Sequence, residues 1–224
     1  MTGTDRAQPT TSGPVEAVLL DLGNVLVGWD PYAAFEGALT RDEVDTFFAD
    51  IDFLERNRQA DAGTSWAELG ALVAVSHPHH AASLDLYVER FSATLTGPVP
   101  GTSEIVDELV ALAVPVFGLT NWSAESFHLA APAAPAIGRL RGVVVSGEVG
   151  LAKPDPAIFG LTARRFGLDP VRTVFVDDSA ANVAAAAALG FCTVLFTDAP
   201  TLRGRLVDLG VLPAGPDGGG PAAS

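Results

Sequence analysis

Four short stretches of this 224-residue chain carry residue types and spacings suited to handling a phosphate and a cation. The first holds Asp21, the one carboxylate in the apolar run Val18-Leu19-Leu20-Asp21-Leu22-Gly23-Asn24-Val25-Leu26-Val27. Unbroken aliphatic residues bounded by turn signals read as a strand buried on both faces, where an ionised carboxylate has no place. Asp21 therefore belongs at the strand's carboxyl end, where open α/β sheets bind ligands; an Asp there also caps turns and helices, and the residue alone does not choose. The second stretch is Thr120-Asn121-Trp122-Ser123, where a hydroxyl and the backbone N–H groups of a helix start can hold phosphate oxygens. The third is Lys153-Pro154-Asp155-Pro156, containing the only lysine of a chain that otherwise uses arginine. A compact ammonium fits between a carboxylate and a phosphate as a planar guanidinium does not. The fourth is Val174-Phe175-Val176-Asp177-Asp178-Ser179-Ala180-Ala181-Asn182. Adjacent carboxylates at the end of a buried strand repel each other, and a divalent cation removes that penalty; Mg²⁺ commonly takes one or two carboxylates plus waters and substrate phosphate. The alternative is that Asp178 caps the Ala-rich helix that follows while Asp177 is solvated.

The elements that must position these residues alternate. Strands are expected near 17–21, 114–120, 142–146, 173–177 and 193–196, and helices near 105–112, 124–129, 156–166 (capped by Asp155), 181–189 and 200–209. Repeated strand–helix units imply an α/β fold with a parallel sheet and helices on both faces. After the first strand the pattern changes. Asp30-Pro31 signals a helix start, and Phe35, Leu39, Val44, Phe47, Phe48, Leu69, Leu72, Val73, Leu86, Val88 and Phe91 recur at helical spacings without a convincing strand. This helical insert, 31–99, ends on the hinge Gly97-Pro98-Val99-Pro100-Gly101 and would hang over the sheet's carboxyl edge. The core is expected over 15–30 and 100–212, and the Pro- and Gly-rich stretches 1–14 and 213–224 as disordered tails.

With 27 acidic and 13 basic residues the net charge is -14, which disfavours nucleic acid and anionic membranes as partners. It also means that a phosphorylated substrate needs a local cation. Cys192 is the only cysteine, so no intrachain disulfide is possible and a reducing cytoplasm is the expected setting. The N-terminus lacks the basic start and apolar core of a secretory signal, and the weakly polar stretch 180–196 is interrupted by Asn182 and Gly190, against a membrane span.

Strand-Asp, strand-Thr-Asn, Lys-Pro-Asp-Pro and strand-Asp-Asp-Ser-x-x-Asn, in this order and with a helical insert after the first, resemble the four motifs of the haloacid dehalogenase superfamily of hydrolases over roughly 15–212. The resemblance implies a Rossmann-like core with a small helical cap and a Mg²⁺-dependent phosphatase acting on a small phosphorylated metabolite. Asp21 would be the nucleophile and form an aspartyl-phosphate. Mg²⁺ would be held by the Asp21 carboxylate, the Gly23 carbonyl and Asp178, with Asp177 in direct or water-mediated support. Thr120 and the Asn121 amide would bind the phosphoryl oxygens, and Lys153 would offset the charge on Asp21 and the phosphate.

The chain departs from the family pattern in one place. Typical phosphatases of the family carry a general acid–base Asp two places after the nucleophile, where this chain has Gly23, and such acid help contributes ~10²–10⁴-fold. Three readings follow: a phosphatase whose substrate has a good leaving group or which takes the proton elsewhere; a 2-haloacid dehalogenase, whose leaving halide needs no proton; and a non-catalytic phosphate-binding domain. Asp-Leu-Gly-Asn-Val resembles a variant first motif of sugar-phosphate phosphatases, which favours the first. Ser-His-Pro-His-His (His77, His79, His80) reads as a surface loop without Cys or Asp ligands nearby, and His128 as a partly buried structural histidine. Arg56, Arg58 and Trp66 are weak cap candidates for substrate contact, and Asp30 is explained as a helix cap.

Overall fold

A computed structural model describes residues 13–214 of the chain. Its elements run β1 (Ala17–Leu20), β2 (Val27–Trp29), α1 (Arg41–Asp50), α2 (Phe53–Asp61), α3 (Trp66–Ser76), α4 (Ala81–Glu89), β3 (Leu95–Pro98), α5 (Thr102–Ala111), β4 (Val116–Thr120), α6 (Ala130–Ala133), β5 (Val143–Val145), α7 (Ser146–Val149), α8 (Pro156–Phe166), β6 (Thr173–Asp177), α9 (Ala180–Ala188), β7 (Cys192–Leu195) and α10 (Ala199–Asp208). The tails expected to be disordered lie, apart from residues 13, 14, 213 and 214, outside the described residues.

β1, β4 and β6 are buried at every residue, as parallel strands covered on both faces must be. They form the centre of a five-stranded parallel sheet in the order β5-β4-β1-β6-β7. Side chains alternate across it: Val18 and Leu20 join one apolar cluster with Ile105, Leu109, Leu202 and Leu206 of α5 and α10, whereas Ala17 and Leu19 join another with Ile158, Phe159 and Ala186 of α8 and α9. Because β4 and β6 flank β1 on opposite sides, the carboxyl end of β1 is the switch point at which α/β sheets bind ligands. The loop into α8 is fixed by local chemistry. Asp155 accepts a hydrogen bond from the Ala157 N–H at 2.8 Å, Pro156 opens the helix, and Gly167 closes it with φ 65°.

The insert after β2 is helical up to β3. Thr40 and Ser65 form capping boxes with Glu43 and Glu68, and Phe35, Phe47, Phe53 and Tyr87 supply an aromatic core. Two expectations fail here. Leu95–Pro98, read as helix end and hinge, is a strand paired antiparallel with β2, with Val27 opposite Pro98 and Trp29 opposite Leu95. The ribbon is two strands only, so Pro98 is tolerated at its end, and the four residues of β3 alternate between half-buried and exposed. The helix expected over 124–129 is instead a turn, a 3-10 turn at Phe127–Leu129 and the single-turn α6. Trp122 holds this segment off helical geometry: its N–H donates to Ser146 Oγ at 2.9 Å, its carbonyl accepts from Gly147 at 3.1 Å and its indole donates to Ser126 Oγ at 3.0 Å. Among the described residues no helix is long and apolar enough to cross a membrane.

Candidate active site

The three central strands each deliver one polar residue where they end: Asp21 follows β1, Thr120 closes β4 and Asp177 closes β6. Lys153, from the loop before α8, joins them from below. Its ammonium lies 2.9 Å from Asp21 Oδ2 and 2.7 Å from Asp177 Oδ2, and donates to the Leu119 carbonyl at 3.0 Å. All three donors of the ammonium are thereby used on three oxygens, in a pocket where its side chain is 1% exposed. Burial works against the charge on Lys153, but Asp21 and Asp177 together hold its pKa above the ordinary value. Burial also pushes the Asp21 carboxyl up, to about 7, against the pull of Lys153. The free energy needed to ionise Asp21 is the physical opening for a second cation.

Asp21, Asp177 and Asp178 bring carboxylate oxygens within 4.8 Å of one another, so the acidic trio foreseen in the sequence assembles. Its members differ. Asp177 is fully buried and saturated: besides Lys153, its oxygens accept from Asn182 Nδ2 at 3.0 and 3.1 Å and from the Ser179 N–H at 2.8 Å. It anchors the lysine rather than offering a free lone pair. Asp178 lies at the exposed rim, accepts from Asn24 Nδ2 at 3.3 Å, and is held above the usual carboxylate range by partial desolvation of its carboxyl and by the charge of Asp177. Asn24 has a left-handed φ of 55°, and its Oδ1 accepts from the Trp29 N–H at 3.2 Å. A Cβ built on Gly23 meets nothing within 4 Å, so sterics do not demand glycine there.

On the β4 side, Thr120 Oγ1 is buried without a hydrogen-bond partner, an orphaned polar atom of the kind a phosphoryl oxygen satisfies. Asn121 lines the cavity described below. Its carboxamide clasps the lysine loop, donating to the Lys153 carbonyl at 2.9 Å and accepting from the Lys153 N–H at 2.8 Å, so only its backbone is left to meet a phosphoryl group.

Above these residues lies a cavity of about 200 Å³ between core and cap, whose lining includes Asp21, Asp178, Asn57, Asp61, Trp66 and Trp122. Trp29, Trp66 and Trp122, the chain's three tryptophans, all line it. Trp66 is thus in place, but Arg58 is exposed and paired with Glu55, and neither Arg56 nor Arg58 lines the cavity. Asn57 and Asp61 line it too, although neither is among the residues singled out from the sequence. The signal was the helical phase of α2: Phe53 and Ala60 are buried, and Asn57 and Asp61 fall on the same stripe, between the arginines. Burial pushes the Asp61 carboxyl up to about 7, a backbone hydrogen bond from Ser123 and the charge of Lys153 acting the other way. Asp30 caps its turn as expected, accepting from the Tyr32 N–H at 2.9 Å. His80 does have an acidic neighbour, contrary to expectation. Its Nε2 lies 2.8 Å from Asp50 Oδ2, with His79 at 3.8 Å, clasping α1 to the turn before α4. His128 is exposed and away from the Asp21 cavity.

Comparison with known proteins agrees with this fold. A sesquiterpene phosphatase of Aspergillus oryzae is 24% identical over 184 residues, 82% of this chain and 90% of its own length, while the chain spans 37% of the length of two other curated relatives. Among solved structures, a haloacid dehalogenase family enzyme of Bacteroides thetaiotaomicron in complex with magnesium and inorganic phosphate superposes with a TM-score of 0.62 at 21% identity, covering 82% of this chain and 95% of that one. The L-2-haloacid dehalogenase of Xanthobacter autotrophicus does so with a TM-score of 0.60 at 18% identity, covering 89% and 85%. The family model for haloacid dehalogenase-like hydrolases matches residues 15–190, and the chain belongs to that family.

Proposed function

We propose that the protein is a Mg²⁺-dependent phosphomonoester hydrolase of a small phosphorylated metabolite, working through an aspartyl-phosphate on Asp21. The observation that carries this reading is the convergence of Asp21, Asp177 and Asp178 around a single ammonium, Lys153. Three carboxylates against one cation leave a net negative site that only a further cation makes hospitable to a phosphate dianion. A dehalogenase needs no metal and would have no use for Asp178 at the cavity rim.

Asp21, the Gly23 carbonyl and Asp178 would hold the Mg²⁺, with Asp177 supporting through Lys153; when bound, the ion supplies charge neutralisation at the transferring phosphoryl group. The chain's own groups do the rest. Asp21 Oδ1 is oriented by the Leu22 N–H at 2.7 Å and Oδ2 by Lys153, the Thr120 hydroxyl donates to a phosphoryl oxygen, and the Asn121 clasp keeps Lys153 in register. Positioning and electrostatic stabilisation are most of what phosphoryl transfer needs.

The cavity walls bear on the leaving group. Three tryptophans and Phe91 offer flat faces, and the lining includes no arginine, lysine or histidine. A sugar ring or another neutral group fits such walls, whereas a second phosphate or a carboxylate finds no cationic side chain in them. A reducing cytoplasm is the setting we propose, consistent with the single buried Cys192. The test is phosphate release by purified protein with Mg²⁺ across sugar and aryl phosphates, with Asp21→Asn alongside. Turnover lost in that variant supports the reading. Halide release from 2-haloacids without metal, or phosphate binding with no turnover, refutes it.

A further inference from the structure

The core supplies a nucleophile, charge and phosphoryl contacts, but the position two residues after Asp21 is Gly23, which has no side chain to carry a proton. Across the cavity, α2 presents a carboxyl group instead. Asp61 is tied from the cap side, where Asn57 Nδ2 donates to Asp61 Oδ2 at 3.1 Å. Asn57 Oδ1 in turn accepts from the Tyr87 hydroxyl at 3.4 Å, and the Trp29 side chain hydrogen-bonds Tyr87. From the core side, the backbone of Ser123 hydrogen-bonds the Asp61 carboxyl, two residues beyond Asn121. The cap is held in this position by a second tie, the Trp66 N–H donating to Glu125 Oε1 at 3.1 Å. A carboxyl group has roughly four lone-pair sites, and two accepted hydrogen bonds leave it able to hold and give a proton. Asp61 and Asp21 line the same cavity.

We infer that Asp61 is the general acid and base of this site, doing from the cap what Gly23 cannot do from the core; the inference rests on the phosphomonoesterase reading above. In the first step Asp21 Oδ bonds to phosphorus as the bond to the leaving oxygen breaks, and the Asp61 carboxyl gives that oxygen its proton, releasing an alcohol. In the second, the Asp61 carboxylate takes a proton from a water whose oxygen attacks phosphorus. The bond to Asp21 breaks, inorganic phosphate leaves, and both side chains return to their starting states. A carboxyl held near 7 is populated in both forms at neutral pH, which this double role requires. The titratable groups around it are Lys153, Asp21 and Asp178 on the core floor, Tyr87 of α4 and Glu125 of the β4 loop; Glu148, on the α7 helix that packs on α2, is exposed.

The test compares Asp61→Asn with wild type on two substrates. With an alkyl phosphate, whose leaving group must be protonated, turnover should fall by ~10²–10⁴-fold. With p-nitrophenyl phosphate, whose leaving group departs unprotonated, the variant should release a stoichiometric burst of nitrophenolate and then turn over slowly, because hydrolysis of the aspartyl-phosphate has lost its base. Asp61→Glu should recover part of the turnover. Equal loss on both substrates without a burst, or no loss, overturns the inference. Should the Asn variant not fold, wild type alone decides: a shallow dependence of kcat/KM on leaving-group pKa supports a proton donor, and a steep one refutes it. If wild type releases no phosphate from any substrate and Asp21→Asn changes nothing, the phosphatase reading itself falls and takes Asp61 with it.

Discussion

Lys153→Met is the sharpest test of the electrostatic design. The methionine fills nearly the same volume but removes the cation from three oxygens at 2.9, 2.7 and 3.0 Å, leaving Asp21 and Asp177 buried 7% and 0% exposed without compensation. Removing one partner of a buried ion pair destabilises by about 3–5 kcal/mol, and with two carboxylates orphaned at once we expect the upper part of that range near pH 8. The sign of the pH dependence follows from Asp21. Its folded pKa is raised from 3.8 to about 7, so its protonated form favours the folded state, and stability is lost as pH rises from about 4 through 7. Without Lys153 that pKa rises further, so the loss continues to higher pH. The gap to wild type therefore widens between about pH 5 and 8, and at pH 5, where Asp21 holds its proton in both proteins, the deficit should shrink by roughly half. Urea unfolding of both proteins at the two pH values measures it. A deficit below about 1 kcal/mol at pH 8, or one equal at pH 5 and pH 8, refutes the arrangement. Lys153→Arg should not restore stability, because a guanidinium is too broad for a pocket in which one nitrogen meets all three oxygens.

Gly23→Asp meets no steric obstacle and should raise turnover of substrates with poor leaving groups; in an Asp61→Asn background it should recover at least about 10-fold of the lost rate, and an unchanged rate would count against loss of a proton donor. Asn182→Ala strips two hydrogen bonds from the buried Asp177 and should destabilise by about 1–3 kcal/mol in urea unfolding, with turnover falling because Lys153 loses its anchor. Asp61→Asn should gain stability over wild type as pH rises from about 4 to 7, since Asp61 too has a folded pKa raised to about 7. Three units correspond to a ceiling of about 4 kcal/mol, which partial exposure reduces to about 1–2 kcal/mol; melting temperatures across pH 4–8 report it, and a variant less stable than wild type at pH 8 would refute the assignment.

What the sequence disclosed and what it hid follow the same division between core and cap. The core strands are unbroken aliphatic runs whose burial on both faces is written in their composition; Asp21, Thr120 and Asp177 are legible because a polar residue inside or just past such a run has so few places to go, and Lys153 because it is the chain's only lysine. Exceptions arise where long-range partners override local preference. The segment after Thr120 is pinned by Ser146 and Gly147, which are remote in sequence, so its helical pattern is not realised. β3 is legible only once β2 is placed beside it.

In the cap the difficulty is one of phase. Arginine draws attention as a substrate contact, yet Arg56 and Arg58 stand one residue to either side of Asn57, and on a helix one residue is about 100° of rotation. The buried Phe53 and Ala60 fix which face of α2 looks inward, and that face carries Asn57 and Asp61. A polar pair spaced i, i+4 on the apolar stripe of a helix is expensive to keep unless something uses it. The same pair sits opposite the nucleophile of a chain whose expected acid is glycine. The absence at Gly23 and the surplus at Asp61 are separately unremarkable in sequence, and only the cavity that both residues line makes them complementary. A chain of this family with glycine two residues after its nucleophile should accordingly be searched for a carboxyl on the inward stripe of the corresponding cap helix, and a turnover-competent relative lacking one would weigh against Asp61 as the proton source.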